Sequence, residues 1–167
     1  MIARTQHQPE ERLRGFAAVR RNLDEQGVSY EVSRREPTGG PIAEAPANRA
    51  PPNRVVKTIG LWANGQLAVV ALPASASLNL RRVRQLLSDN RARLATDADL
   101  ARELPDLDAG ALPPFGAPAP PLALIDRRVL SSNWVLANGG DHLHSLRLSP
   151  LELVRLSHAR VVDITSA

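Results

Sequence analysis

One lysine stands alone in this chain. Of 21 lysine and arginine residues 20 are arginine, and the exception, Lys57, lies in the run Val55-Val56-Lys57-Thr58-Ile59. The β-branched neighbours predict a strand, and a strand among apolar residues predicts a half-buried ammonium. Burying a charge is costly unless it meets a partner or a ligand. Lys57 is therefore either a clamp for an anionic or carbonyl group, or a salt-bridged or snorkelling side chain with no chemical duty. Its type and position leave both open.

A second stretch with chemical potential is Gly110-Ala111-Leu112-Pro113-Pro114-Phe115-Gly116. Two glycines bracket two prolines, so the backbone is stiff yet able to approach a ligand closely. The prolines carry no N–H. Any cradle for an anion or a carbonyl oxygen must use the amides of Ala111, Leu112, Phe115 or Gly116. As a bare pattern such a loop is equally a turn.

Four histidines remain. His7 and His158 are expected at a chain end and a helix end, in solvent. His142 and His144 are two apart in an expected strand pair and so share a face. Asp141 should point the other way, no third ligand clusters with them, and no metal is expected. His144, entering a strand after Gly139-Gly140, is a hydrogen-bonding candidate or a structural one. Asp126 ends an apolar run before Arg127 and Arg128, where an ion pair or a turn explains it without function.

Several chemistries are excluded. There is no cysteine, hence no thiol nucleophile, disulfide or thiolate zinc site. No serine sits in a nucleophile elbow, and neither a Walker loop nor a dinucleotide fingerprint occurs. The aromatic-plus-basic stripes of single-strand RNA binders are missing as well.

The elements that must position these residues follow from periodicity. Leu13, Phe16, Ala17, Val19 and Leu23 predict an amphipathic helix over about 8–26, stopped by Gly27. Residues 28–32 alternate as a strand. From Arg34 to Pro52 prolines and glycines crowd a loop, with room for a helical turn at 42–45. Residues 55–63 and 66–72 are strands joined by Asn64-Gly65, a two-residue hairpin signal. Helices are expected at 79–87 and from Thr96 or Asp97 to before Pro105. Residues 122–126 form a strand, and 133–137 pairs with 145–148 across Asn138-Gly139-Gly140. Ser149-Pro150-Leu151-Glu152 predicts a capping box opening a helix to about His158, and 161–164 closes as a strand. The fold class is α/β: a single domain over 1–167, its core about 28–165, with a mixed, largely antiparallel sheet packed by several helices.

Composition sets the outer bounds. The 167 residues suffice for one real core, and the net charge of +4 is spread along the chain. It permits a polyanionic partner without demanding one. Abundant Arg, Ala and Pro with scarce Lys fits a GC-rich coding bias. With no signal peptide in the polar N-terminus and no apolar run of membrane-spanning length, the expectation is a soluble, cytoplasmic protein.

Taken in order, Val55-Val56-Lys57-Thr58, the hairpin with Leu72-Pro73, Gly110-x-x-x-Pro114-Phe115-Gly116, Ile125-Asp126 and Asn138-Gly139-Gly140 before His144 resemble the YbaK/ProX aminoacyl-tRNA deacylase family. Its fold also occurs as the editing insertion of bacterial prolyl-tRNA synthetases. The likeness runs from the first helix to Val161-Val162-Asp163-Ile164. It implies a free-standing trans-editing hydrolase that deacylates a mischarged tRNA, in particular tRNA for proline carrying Ala, Cys, Ser or Thr.

By that resemblance Lys57 is the essential residue holding the terminal nucleotide and ester. The residues Gly110, Ala111, Leu112, Pro113, Pro114, Phe115 and Gly116, with Asp126, Gly139 and His144, line the substrate. No cofactor or metal is implied. The implied partners are the aminoacyl-tRNA 3′ acceptor end and, secondarily, an aminoacyl-tRNA synthetase, with neither membrane nor DNA. Many members carry a histidine where this chain has Arg34-Arg35-Glu36, a departure that bears on amino-acid specificity. The alternatives are a non-catalytic aminoacyl-tRNA or synthetase-binding module of the same fold and, more remotely, an Arg-rich RNA binder.

Overall fold

The centre of the molecule is the expected hairpin. A computed structural model describes residues 12–34, 50–115 and 120–166. Strands β2 (Val56–Ala63) and β3 (Gln66–Pro73) pair antiparallel in full register, from Val56 opposite Pro73 to Ala63 opposite Gln66. At the turn Asn64 and Gly65 adopt φ of 52° and 74°. Both central residues are thus left-handed, as the right-handed twist of a tight hairpin requires.

The remaining elements are α1 (Gly15–Glu25), β1 (Tyr30–Arg34), α2 (Leu80–Leu87), β4 (Arg93–Leu94), α3 (Asp97–Glu103), β5 (Leu122–Asp126), β6 (Val135–Asn138), β7 (His144–Leu148), α4 (Pro150–Ser157) and β8 (Arg160–Val162). Short 3₁₀ turns cover Pro52–Arg54, Ala109–Ala111 and Arg127–Ser131.

The strands form two sheets where one was expected. One is mixed and five-stranded, ordered β4-β2-β3-β5-β8, and the other is antiparallel and three-stranded, ordered β1-β7-β6. The parallel pairs are β3 with β5 and β5 with β8. A bridge between Val55 and Leu136 connects the sheets. The division has a packing cause, because β3 is covered on both faces. Val69 and Ala71 face a core shared with α1, the second sheet and α4, while Ala68, Val70 and Leu72 face a core with α2. Hence its continuous apolar run, with every residue from Leu67 to Leu72 buried.

Helix α2 opens on Asn79, whose side chain accepts the N–H of Arg82, and α3 on Thr96 in a reciprocal capping box with Asp99. Four expectations are revised. Helix α1 starts at Gly15, leaving Leu13 half exposed outside it; Gly15 has φ of 57° and donates its N–H to the Asp106 carbonyl at 2.5 Å. The first strand begins at Tyr30, since the Val28 N–H closes α1 on Leu23 O. Ser149 makes no side-chain cap; the Glu152 carboxylate that would complete a box is held by Arg155 instead. Strand β8 stops at Val162. The expected helical turn at 42–45 lies outside the described residues.

A methyl group at position 65 would meet no atom within 4 Å, so the φ alone sets the cost of adding one. Gly65→Ala should lose about 1–2 kcal/mol in urea unfolding, with the m-value unchanged.

Candidate functional site

Lys57 is the second residue of β2. Its neighbours Val56 and Ile59 belong to opposite cores, so the side chain lies at the strand's end on the α2 side. It is half buried, and its Nζ donates to the carbonyl oxygen of Ala76 at 2.8 Å. Burial holds its pKa below the ordinary lysine value. Among the described residues no carboxylate lies within ion-pair distance of it. A salt bridge with a described acid is thereby ruled out as the reason for this lysine.

Ala76 belongs to the turn that follows Pro73, pinned by the Ala74 N–H on Val55 O and the Ala76 N–H on Pro73 O. The lysine is thus tethered to a rigid corner by one of its three N–H bonds. Next to it in β2, the Thr58 hydroxyl is buried and has no hydrogen-bond partner among the described residues. An unmade bond of that kind ordinarily costs about 1–3 kcal/mol.

The Gly110 loop turns at Ala109–Ala111, where the Ala111 N–H donates to Asp108 O at 2.9 Å. That amide is committed to the turn and leaves the expected cradle. Ala111, Leu112, Pro113, Pro114 and Phe115 are all buried. Leu112 and Phe115 join Val56 in one core, which ties this loop to the strand carrying Lys57. Gly116 lies outside the described residues.

At Gly110 a β-carbon would sit 3.0 Å from Cε1 of His142, so the loop closes against the turn after β6. A backbone bond from Asp108 N to Gly140 O reinforces that closure. Gly139 donates to His144 O at 3.0 Å, and Gly140 has φ of 92° with a β-carbon position only 2.7 Å from Val19. No other residue type fits that approach.

Asp141 sits in a turn, not in a strand, and this reverses its expected direction. Its Oδ1 accepts the N–H groups of Leu143 and His144, and its two oxygens lie 2.9 and 2.8 Å from His144 Nδ1. A carboxylate only accepts, so Nδ1 carries the hydrogen, a tautomer in which Nε2 is the acceptor. The ring stacks on Phe16 with centroids 4.0 Å apart and borders a 520 Å³ cleft with Arg20, Tyr30 and Arg34. His142 is exposed in the turn and shares no strand face with His144. No group of three metal-ligating side chains occurs among the described residues.

Asp126 is fully buried. Its Oδ1 accepts the Arg128 N–H and its Oδ2 the Ile164 N–H, each at 2.9 Å. These bonds join the end of β5, the following turn and the segment after β8. The structure therefore brings Gly110, His142, Gly139, Asp141 and His144 into one group. Lys57 stands in a second group with the Ala76 turn, linked to the first through the core. Periodicity aimed Asp141 away from the histidines, placed Phe16 only on a helix face and gave no sign of the Ala76 carbonyl, because a turn replaces the expected strand and the other two contacts join residues distant in sequence.

An α/β scaffold of this order is shared with solved structures. One, a hypothetical protein, is 26% identical with a TM-score of 0.80 over 89% of this chain and 99% of the other. A proposed trans-editing enzyme for prolyl tRNA synthetase is 25% identical with a TM-score of 0.80, over 91% and 97%. A proposed signal transduction protein from Marinobacter aquaeolei VT8, 17% identical with a TM-score of 0.62, shares the fold across 30% of its length and 90% of this chain. No curated protein matches.

The class is thus an α/β domain of the aminoacyl-tRNA editing type. Residues 36–156 match the aminoacyl-tRNA editing domain, well over half of the chain. The chain belongs to that family. Among the described residues no helix is long and apolar enough to cross a membrane.

Two stability measurements separate structural from chemical duty. A lysine whose folded pKa is depressed disfavours the folded state below that pKa, and the penalty fades as pH rises toward the unfolded value. Lys57→Met should therefore melt at pH 7 no lower than wild type; a clearly lower melting temperature would make the lysine structural. Asp126→Asn places an amide N–H₂ against a backbone N–H and should lose about 1–3 kcal/mol in denaturant unfolding.

Proposed function

We propose that the chain is a trans-editing deacylase that hydrolyses the ester of a mischarged aminoacyl-tRNA, with Lys57 as its electrostatic clamp. The observation that carries this reading is a half-buried ammonium held by one backbone carbonyl, with no acidic partner among the described residues. Membership of the editing-domain family supplies the substrate class. The likeness to a protein named for prolyl tRNA synthetase favours tRNA for proline carrying Ala, Cys, Ser or Thr. A synthetase is then a natural partner in handing over that substrate.

The chemistry needs no protein nucleophile. Water adds to the ester carbonyl carbon, and the bond from that carbon to the ribose oxygen breaks. The amino acid leaves as its carboxylic acid, and the departing ribose oxygen takes up the remaining proton to become a hydroxyl. The ester is already activated, so holding it and its water together supplies much of the rate. Lys57 keeps two N–H bonds for the terminal nucleotide or for the oxygen on which charge develops. In this reading the Gly110–Gly116 loop, with Gly139 behind it, forms the wall of the aminoacyl end. His144, oriented by Asp141, offers Nε2 as an acceptor for the amino-acid moiety. Asp126 acts at a distance by fixing the chain around the Ala76 corner, because both its oxygens are spent on backbone amides.

A panel of tRNAs charged with Ala, Ser, Thr or Cys tests the proposal. Wild-type protein should release amino acid from at least one of them. Lys57→Ala should lower kcat/KM about 10²–10³-fold, the usual loss when a group serving the developing charge is removed. Binding without turnover across the panel would leave a non-catalytic aminoacyl-tRNA module. Affinity indifferent to the aminoacyl group would leave only an arginine-rich RNA binder.

A further inference from the structure

The Ala76 corner that receives Lys57 also walls an open cleft of 370 Å³, lined by Ser75, Ala76, Ser77, Arg128 and Ser166. Hydroxyls and a guanidinium border it, and no carboxylate does among the described residues. Behind Arg128 the charge is unbalanced. Arg82, Arg127 and Arg128 all converge on Asp163, at 3.0, 3.3 and 3.3 Å. Three guanidiniums share one exposed carboxylate, and even with the buried Asp126 beside Arg128 counted, the cluster keeps an excess of positive charge. The three arginine side chains are 42–65% exposed, which leaves them within reach of a ligand from solvent.

Their orientation is fixed from behind. Arg128 Nη1 also bonds Thr165 Oγ1, and Arg82 Nη1 donates to Thr165 O. The Ser166 N–H donates to Ser77 O, so the two rims of the cleft are joined. A pocket of hydroxyl and guanidinium donors, with no carboxylate in its described lining, is suited to phosphate oxygens.

We propose that this cleft binds the sugar-phosphate backbone of the RNA acceptor strand just upstream of the terminal nucleotide, with Arg128 and the serines on one phosphodiester and Arg127 and Arg82 along its continuation. The proposal rests on the aminoacyl-tRNA reading of Lys57. It adds the direction in which the strand leaves the site: past Ala76, toward α2 and the turn after β5, away from His144.

The test is a binding measurement, independent of turnover. Fluorescence anisotropy with an uncharged acceptor-stem RNA hairpin ending in a single-stranded 3′ tail is read at several salt concentrations. Ser75→Glu brings a carboxylate into the cleft without removing a bond recorded in the fold, and Arg127→Gln removes only its pairing with Asp163. Each should weaken binding about tenfold. Arg127→Gln should also lower the slope of log K against log salt by about one, the signature of a lost phosphate contact. Arg21→Gln, the same charge change on α1, should leave affinity within about twofold and the slope as in wild type. Equal losses in all three variants would reduce the effect to net charge and overturn the proposal, as would wild-type affinity in Ser75→Glu and Arg127→Gln. If the hairpin binds as described while no charged tRNA is hydrolysed, the deacylase reading fails and the cleft stands.

Discussion

The constraint on which the rest depends is that the β2–β3 hairpin lies between two cores, with β3 buried on both faces. A strand pair sandwiched in this way has little solvated face on which to carry polar chemistry. Its chemical groups can sit only at its ends, where the chain leaves the sandwich. One end is the Asn64-Gly65 turn, short and outward. The other is the Lys57 end, opposite Leu72 and Pro73, against the Ala76 corner. The lysine's half burial, its lowered pKa and its single carbonyl tether all follow from that position.

Around that end the chain is held by buried polar bonds and not by apolar packing alone. Asp126 gathers β5, the following turn and the stretch after β8; Asp141 gathers the β6–β7 turn and His144. Each carboxylate accepts two backbone N–H groups, Asp141 both from its own turn and Asp126 one from its turn and one from Ile164, which satisfies turn backbone in a partly dry place. Asp126 thereby holds the turn that carries Arg128 and the stretch that runs on to Ser166, and Asp141 holds the turn against which Gly110 closes.

Which parts were legible in the sequence follows from the range of each interaction. Asn64-Gly65, the Thr96 cap and Pro150 act within a few residues, and the elements they mark stand where periodicity places them. Leu13 and Val28 fit the helical and strand patterns yet lie outside α1 and β1, because bonds to Asp106 and Leu23 decide the boundaries. Ser149 has the letters of a capping box, but Arg155 competes for Glu152. The separation into two sheets was hidden because alternation reports which residues face inward and not which core they meet. At the site, the identity of Lys57 was legible from composition. The carbonyl that tethers it and the arginines that converge on Asp163 were not, since each contact joins segments that only the fold brings together, and Asp141 was aimed wrongly because a turn stands where a strand was expected.

Why a lysine here, in a chain that otherwise writes arginine? A guanidinium is planar, broad and suited to two-point contacts, and it works well where Arg82, Arg127 and Arg128 surround Asp163 from an exposed side. At the end of β2, opposite Leu72, one donor is already directed at Ala76 O. An ammonium spends one N–H on that carbonyl and still presents two, from a nearly spherical charge that can follow an ester as it becomes tetrahedral. A guanidinium anchored to the same carbonyl would aim its remaining donors along a fixed plane. If GC-rich coding pressure has driven lysine codons elsewhere to arginine, position 57 has resisted it. The geometry of a tethered point charge supplies a physical reason for that resistance which a salt bridge, absent among the described residues, does not.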